Sequence, residues 1–224
     1  IAVYINEIMK RNRWKINVGF GGTTRYMVQM LEEGVMKNIL DGQVFDHDAI
    51  RSLNVNPNHH SFSVFNAYNY HSKGNLTSLL DVVTLGATEI DIRFNGNVVT
   101  HSDGLLLHGI GGWQNCLFAR NTIIALPLFR NRIPVIVDEV TTLCGPGELI
   151  DVVVTERGIA INPLRKDLLG KVKGSGLPIK TIEELKAEAE AICGRPDKPG
   201  FGDRIVAVVK WVDGTVLDVV RELR

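Results

Sequence analysis

Apolar residues recur at helical spacing in the first twelve positions, IAVYINEIMKRN. Ile1, Ile5, Ile8 and Met9 share one face, and basic residues gather at the C-terminal end. INVGF then predicts a short strand, GGTT a turn, and RYMVQMLEEG a helix stopped at Gly34. NILDGQVF predicts another strand. DHDAIRSLN predicts a helix with Asp46 as N-cap and Asp48 in its first turn. Residues 79–87, LLDVVTLGA, form a continuous apolar run of the kind found in strands covered on both faces. IDIRFNGNVVT alternates and predicts a half-exposed strand, while TIIALPL and IPVIVDEV are further buried runs. LIDVVVTERGIAINP predicts a strand with a turn near Arg157-Gly158. TIEELKAEAEAICG is a helix with Thr181 as N-cap, Glu184 at the capping-box position and Gly194 as its stop. VAVVKWVDGTVLDVV predicts a β-hairpin turning at Asp213-Gly214. Strands alternate with helices early and cluster later. The expected architecture is therefore an α/β fold: one three-layer α/β/α domain over residues 1–224, with a mostly parallel central sheet. CGRPDKPGFG is the one linker-like stretch and precedes the hairpin.

Composition narrows the classes. Hydrophobic residues make up 45% and charged residues 22%, which is ordinary globular usage. Lys plus Arg and Asp plus Glu are both 25, so no global field recruits nucleic acid or an anionic membrane surface. No apolar run is long enough to span a bilayer. The chain opens at Ile1 inside a helical pattern, which leads to the expectation that it is a fragment of a longer chain. Three widely spaced cysteines, Cys116, Cys144 and Cys193, form neither a disulfide framework nor a CxxC pair. They point to a reducing cytoplasm and inert thiols.

Candidate chemistry gathers where strands should end. Strand, Gly21-Gly22-Thr23-Thr24, helix is an arrangement whose backbone N–H groups can receive an anion, although many such turns carry no ligand. Glu89, Asp91, Asn95 and Asn97 fall close together. In an extended chain, 89 and 91 share a face, as do 95 and 97. Neighbouring carboxylates raise one another's pKa and suit acid–base work; a solvated strand edge is the alternative. Between two sheet-like runs lies GIGGWQNCLFA. There Gly111-Gly112 makes a tight loop, followed by Trp113, Asn115 and Cys116, the last without an evident base. The six histidines show no metal-ligand spacing, so no metal is expected. GxSxG, GxGxxG and GxxxxGK[ST] are all missing, which removes the main support for serine hydrolase, dinucleotide and P-loop readings.

The run GFGGTTRYMVQMLEEGVMKNILDGQVFDHDAIRSLNVNPNH resembles the α subunit of citrate lyase, within the CoA-transferase superfamily. So do LDVVTLGATEIDIRFNGN, RNRIPVIVDEVTT, PGELIDVVVTERGIAINPLR and DRIVAVVKWVDGTVLDVV. The resemblance runs in order through nearly the whole chain and covers the C-terminal half of that subunit.

It implies a CoA-transferase that exchanges an acyl group between a CoA-type thioester and a carboxylic acid such as citrate. The thioester is acyl-CoA or the CoA-like prosthetic arm of an acyl carrier protein. The implied partners are the acyl carrier (gamma) and lyase (beta) subunits of a citrate lyase-like complex, with homo-oligomerisation and a cytoplasmic location. Many two-half CoA-transferases use a Glu nucleophile in a Ser-Glu-Asn-Gly loop. The matching place here is DGQVFDHD, without Glu, which fits direct attack by the substrate carboxylate through a mixed anhydride. On this reading Glu89 and Asp46 are the catalytic candidates. Gly21, Gly22, Thr23, Thr24, Asp91, Asn95, Asn97, Gly111, Gly112, Trp113 and Asn115 are candidates for binding substrate or thioester. The family's loop reads approximately Gly-Gly-His-x-Asp-Thr-Ala where this chain has GGWQNCL, so Trp113 and Asn115 replace ionisable residues. Two other functions stay open: an acyl-thioester-binding subunit without turnover, and a sugar-phosphate isomerase or deaminase on a related fold.

Overall fold

The computed structural model describes residues 2–68, 76–195 and 197–224; Ile1, which the sequence pattern assigns to an apolar helix face, lies outside them. Packing divides the chain into two compact units, Ile1–Asn69 and Tyr70–Arg224, each with its own core.

The first unit runs α1 (Ala2–Asn12), β1 (Ile16–Thr23), α2 (Arg25–Glu32), β2 (Met36–Val44), α3 (His47–Val55), β3 (His59–Ser61) and α4 (Val64–Tyr68). β1, β2 and β3 form a parallel sheet in that order. Met30, Leu31, Val35, Met36 and Ile39 are its buried core, with Met9, Ile16 and Met27 packed on them. α2 stops where the sequence indicates. Gly34 takes φ 66, and the N–H of Val35 reaches back to the Met30 carbonyl at 2.9 Å.

The second unit runs β4 (Val83–Leu85), β5 (Glu89–Asp91), β6 (Gly96–Asn97), α5 (Trp113–Cys116), β7 (Thr122–Ala125), β8 (Phe129–Arg130), β9 (Ile133–Pro134), β10 (Ile136–Val137), β11 (Val152–Thr155) and β12 (Gly158–Ile161). It continues through α6 (Lys166–Val172) and α7 (Ile182–Cys193) to β13 (Phe201–Lys210) and β14 (Val216–Leu223). β4, β7 and β11 are parallel, and β12 adds antiparallel to β11. β10 pairs parallel with β5, which turns back into β6. The fold is thus mixed α/β with parallel sheets. α7 carries the full capping box, with Thr181 Oγ1 accepting from Glu184 N and Glu184 accepting from Thr181 N. β13 and β14 form the hairpin, with Gly214 at φ 93.

Three strand expectations change. Residues 79–87 are not a strand covered on both faces: only Val83–Leu85 is extended, and it sits at a sheet edge paired with β7 alone. Val82 is accordingly 54% exposed. IDIRFNGNVVT is not a half-exposed strand but two short buried strands around a tight turn. The Asp91 carboxylate gathers the N–H groups of Arg93 and Asn95, and Phe94 takes φ 66. IPVIVDEV breaks at Val135 into β9 and β10, which belong to different sheets.

Candidate functional site

The candidate residues fall into two sets, one in each unit. In the first unit, Gly21, Gly22 and Thr23 are the end of β1 rather than a loop beyond it. The pairing with β2 slips here. Gly21 opposes Asp41 and Gly22 opposes Gln43, leaving Gly42 as an unpaired bulge residue. Gly21 holds φ 116, a conformation L side chains rarely adopt. Thr23 is fully buried, and its Oγ1 has no hydrogen-bond partner among the described residues.

Thr24 is the extended N-cap of α2 but makes no side-chain cap. Asp46 fills that role from the next helix start: Oδ2 accepts from Arg25 N at 2.7 Å and Oδ1 from Ala49 N at 2.9 Å. One carboxylate thereby caps both α2 and α3. The anion-receiving position that the GGTT pattern suggests at α2 holds the protein's own Asp46. The N–H bonds from Arg25 and then Ala49 hold its pKa below the usual carboxylate value.

Beside this set lies a group the sequence reading missed. His59 Nδ1 stands 2.9 Å from Ser52 Oγ and His59 Nε2 stands 3.2 Å from Asp41 Oδ2, all buried. The three residues sit on α3, β3 and β2, and no local spacing in the sequence announces them.

In the second unit, Glu89 is 1% exposed, with Oε2 accepting from Asn97 Nδ2 and Thr141 N, both at 2.8 Å. Its Oε1 accepts from Thr141 Oγ1 at 3.1 Å. Among the described residues no cation lies within ion-pair distance of Glu89, so neutral donors hold this carboxylate. Asn97 also donates to Thr100 Oγ1, which meets Thr142 Oγ1 at 2.8 Å. Asp91 and Asn95 belong to a different network. Asp91 accepts from Arg93 N, Asn95 N and Asn95 Nδ2, and Asn95 Oδ1 accepts from Gly147 N. The two acids share a strand but hold separate partners, and both are buried.

The structure brings the 111–116 loop against this set through β6. Gly111 takes φ 60, Gly112 is the N-cap of α5, and Trp113, Asn115 and Cys116 turn inward. Trp113 donates from Nε1 to the Gly86 carbonyl at 2.8 Å. Its ring lies over Gly96 and Gly145, where an added Cβ would stand 2.7 and 2.5 Å from it. The Asn115 carbonyl accepts from Thr77 Oγ1 at 2.6 Å. Burial pushes the Cys116 and Cys144 thiols up to about 11, which keeps both protonated near neutrality. Among the described residues, no cluster of three or more His, Cys, Asp or Glu has the arrangement to hold a metal ion. No described helix is long and apolar enough to cross a membrane.

This architecture is that of CoA-transferase folds. A 4-hydroxybutyrate CoA-transferase from Porphyromonas gingivalis superposes with TM-score 0.55 at 16% identity, over 86% of this chain and 45% of that one. At that identity the likeness speaks for the fold alone. The sequence model of the citrate lyase alpha subunit family, CitF, matches residues 1–223, and the chain belongs to that family. The citrate lyase alpha chain of Klebsiella pneumoniae is 45% identical over 225 residues, covering 100% of this chain and 44% of the relative. That of Escherichia coli (strain K12) is 40% identical over the same shares. A solved citrate lyase alpha subunit from Streptococcus mutans, in complex with citrate, superposes with TM-score 0.96 at 43% identity, over 99% of this chain and 44% of that one. The chain spans under half the length of these relatives.

Proposed function

We propose that the chain forms part of a citrate CoA-transferase that moves an acyl group between a CoA-type thioester and a carboxylic acid such as citrate. A carboxylate oxygen of the acid adds to the thioester carbonyl, and the C–S bond breaks to release the thiolate and leave a mixed anhydride. The thiolate then attacks the other carbonyl of the anhydride, and the C–O bond breaks to release the first acid. No protein-bound thioester is needed. The observation that carries this reading is the state of the segment 41–48, which the family resemblance matches to the loop where two-half CoA-transferases place a nucleophilic Glu. It contains no Glu. Asp41 is buried on Gln43 N and His59, Asp46 caps two helices, and Asp48 faces Arg51 at 3.5 Å.

With no covalent nucleophile, positioning and oxyanion stabilisation supply the rate. Taken unit by unit, the backbone at Gly21, Gly22 and Thr23 is the proposed donor set of the first, and the glycines Gly111 and Gly112 that of the second. Glu89 with Asn97 is the proposed group orienting the thioester and hydroxy acid. The proposed thiol carrier is acyl-CoA or the prosthetic arm of an acyl carrier (gamma) subunit, with a lyase (beta) subunit downstream, in a cytoplasmic, homo-oligomeric complex.

A second reading, a thioester-binding subunit without turnover, draws support from Trp113. Its indole packs as core where the family's loop carries His. Incubating the intact subunit with acetyl-CoA and labelled citrate, then trapping with hydroxylamine, separates the readings. Citrate-dependent loss of acetyl-CoA without a trapped protein adduct is expected. CoA binding with no exchange for any acid tested would favour the second reading, and a trapped protein thioester would refute the anhydride route.

A further inference from the structure

We infer that Asp41, His59 and Ser52 are a positioning triad, a buried hydrogen-bonded chain that fixes the bulge between β1 and β2 and so aims the Gly21–Gly22 backbone. This rests on the proposed acyl exchange at that strand end. Bulges are rare between parallel strands, and this one needs Gly42 as the extra residue. An Asp41 bond spans it: Oδ1 accepts from Gln43 N at 2.7 Å, across Gly42. The second carboxylate oxygen meets His59 Nε2 at 3.2 Å, and His59 Nδ1 meets Ser52 Oγ at 2.9 Å. β3 pairs Ile39 with His59, so Asp41, two residues on along β2, is a diagonal neighbour of His59. The chain therefore joins the bulged strand to the next strand and to the helix packed beside it.

His59 and Asp41 side chains are 0% and 2% exposed. They cannot touch a substrate, so any influence on turnover passes through the backbone they hold. A buried polar chain is favourable only when complete. Both ring nitrogens of His59 are engaged, Nε2 with Asp41 Oδ2 and Nδ1 with the Ser52 hydroxyl, which can donate or accept, so the chain is complete from carboxylate to hydroxyl. The backbone so fixed carries Gly21 at φ 116 and leads into Thr23, whose buried Oγ1 lacks a partner among the described residues.

The chemistry of the triad defines the test. In Asp41→Asn the amide oxygen still accepts from Gln43 N, and the amide NH2 faces His59 Nε2. With Nε2 accepting from that amide and Nδ1 donating to the Ser52 hydroxyl, every link keeps a partner and the chain survives. Asp41→Ala removes the bridge. Both variants are made in the intact subunit and compared for kcat and KM in acyl exchange, and for hydrogen exchange in peptides covering 19–24 and 41–46. Asp41→Ala is expected to lower kcat about 10- to 100-fold with KM little changed, and to raise exchange in those two peptides only. Asp41→Asn is expected to restore both. If Asp41→Ala fails to fold, Ser52→Ala trims the outer link and is expected to show the same local exchange change at smaller size. A kcat within about twofold of wild type in a folded Asp41→Ala, or a rise in exchange spread evenly over the unit, overturns the inference. If the wild type exchanges no acyl group, the functional reading falls. The hydrogen-exchange comparison still decides whether the triad holds the bulge: a local rise supports it and an unchanged pattern refutes it.

Discussion

Glu89 receives three hydrogen bonds while almost wholly withdrawn from water. From sequence it is a solvent-facing acid at a strand end, and Glu89→Gln is expected to lower the rate with little change in melting temperature. Burial changes the second half of that expectation. In one orientation the amide NH2 would face Asn97 Nδ2 and Thr141 N, both donors; in the other the Thr141 hydroxyl must turn its proton away to accept, so a buried charge-assisted bond is lost at a cost of about 1 kcal/mol. Glu89→Gln should therefore lower both exchange rate and melting temperature, checked by kinetics beside calorimetry. Unchanged melting would mean that the network rearranges freely. The cysteines give a second residue-scale prediction. Cys116 and Cys144 are buried with thiols pushed up to about 11, whereas Cys193 is half-buried. Iodoacetamide at pH 8 should modify Cys193 well before the other two, as read by peptide mass mapping. Early modification of Cys116 would contradict the burial described.

Among the elements, α7 and the β13–β14 hairpin were readable because their signals are local. A cap residue, its partner three positions on, a stop glycine and an Asp-Gly turn need no knowledge of the rest of the chain. Thr181→Ala should cost about 1 kcal/mol, seen as a lower melting temperature, with Thr181→Ser nearly neutral. The β5–β6 region was misread because its alternation mimics a strand, while the deciding bonds run from the Asp91 side chain to backbone two and four residues later. Asp46 was read correctly as the cap of α3. Its second bond, to Arg25 N, could not be seen, because it crosses 21 residues of sequence. The Asp41–His59–Ser52 chain was hidden for the same reason. Its partners are assembled by parallel pairing and helix packing, which leave no short motif. The glycines of the candidate site were legible as glycines, but the slipped register that explains Gly42 was not.

For the whole molecule, acid sensitivity follows from carboxylates in both units. Lys10, Gln29 and Asn6 hold Glu33 down to about 2 from 4.5, Arg165 holds Asp167 down to about 2 from 3.8, and Asp46 is also lowered. A carboxylate whose folded pKa lies below its unfolded one contributes fully above the unfolded value. That contribution fades as pH falls from about 4.5 toward 2, because protonation favours the unfolded chain. The melting temperature should therefore drop across that window, measured by scanning calorimetry. A flat profile to about pH 2 would refute the assignment. The wedge of Trp113 against Gly96 and Gly145 reaches further, into descent. A methyl at Gly96 collides with the indole, so alanine is admissible there only in lineages where residue 113 has already shrunk; at Gly145 Leu117 stands at 2.7 Å and must give as well. A smaller residue at 113 in turn leaves a void that such a methyl would help to fill. Exchanges between this loop and its His-bearing counterparts should run in one order along a family tree, the ring first and the methyl after it.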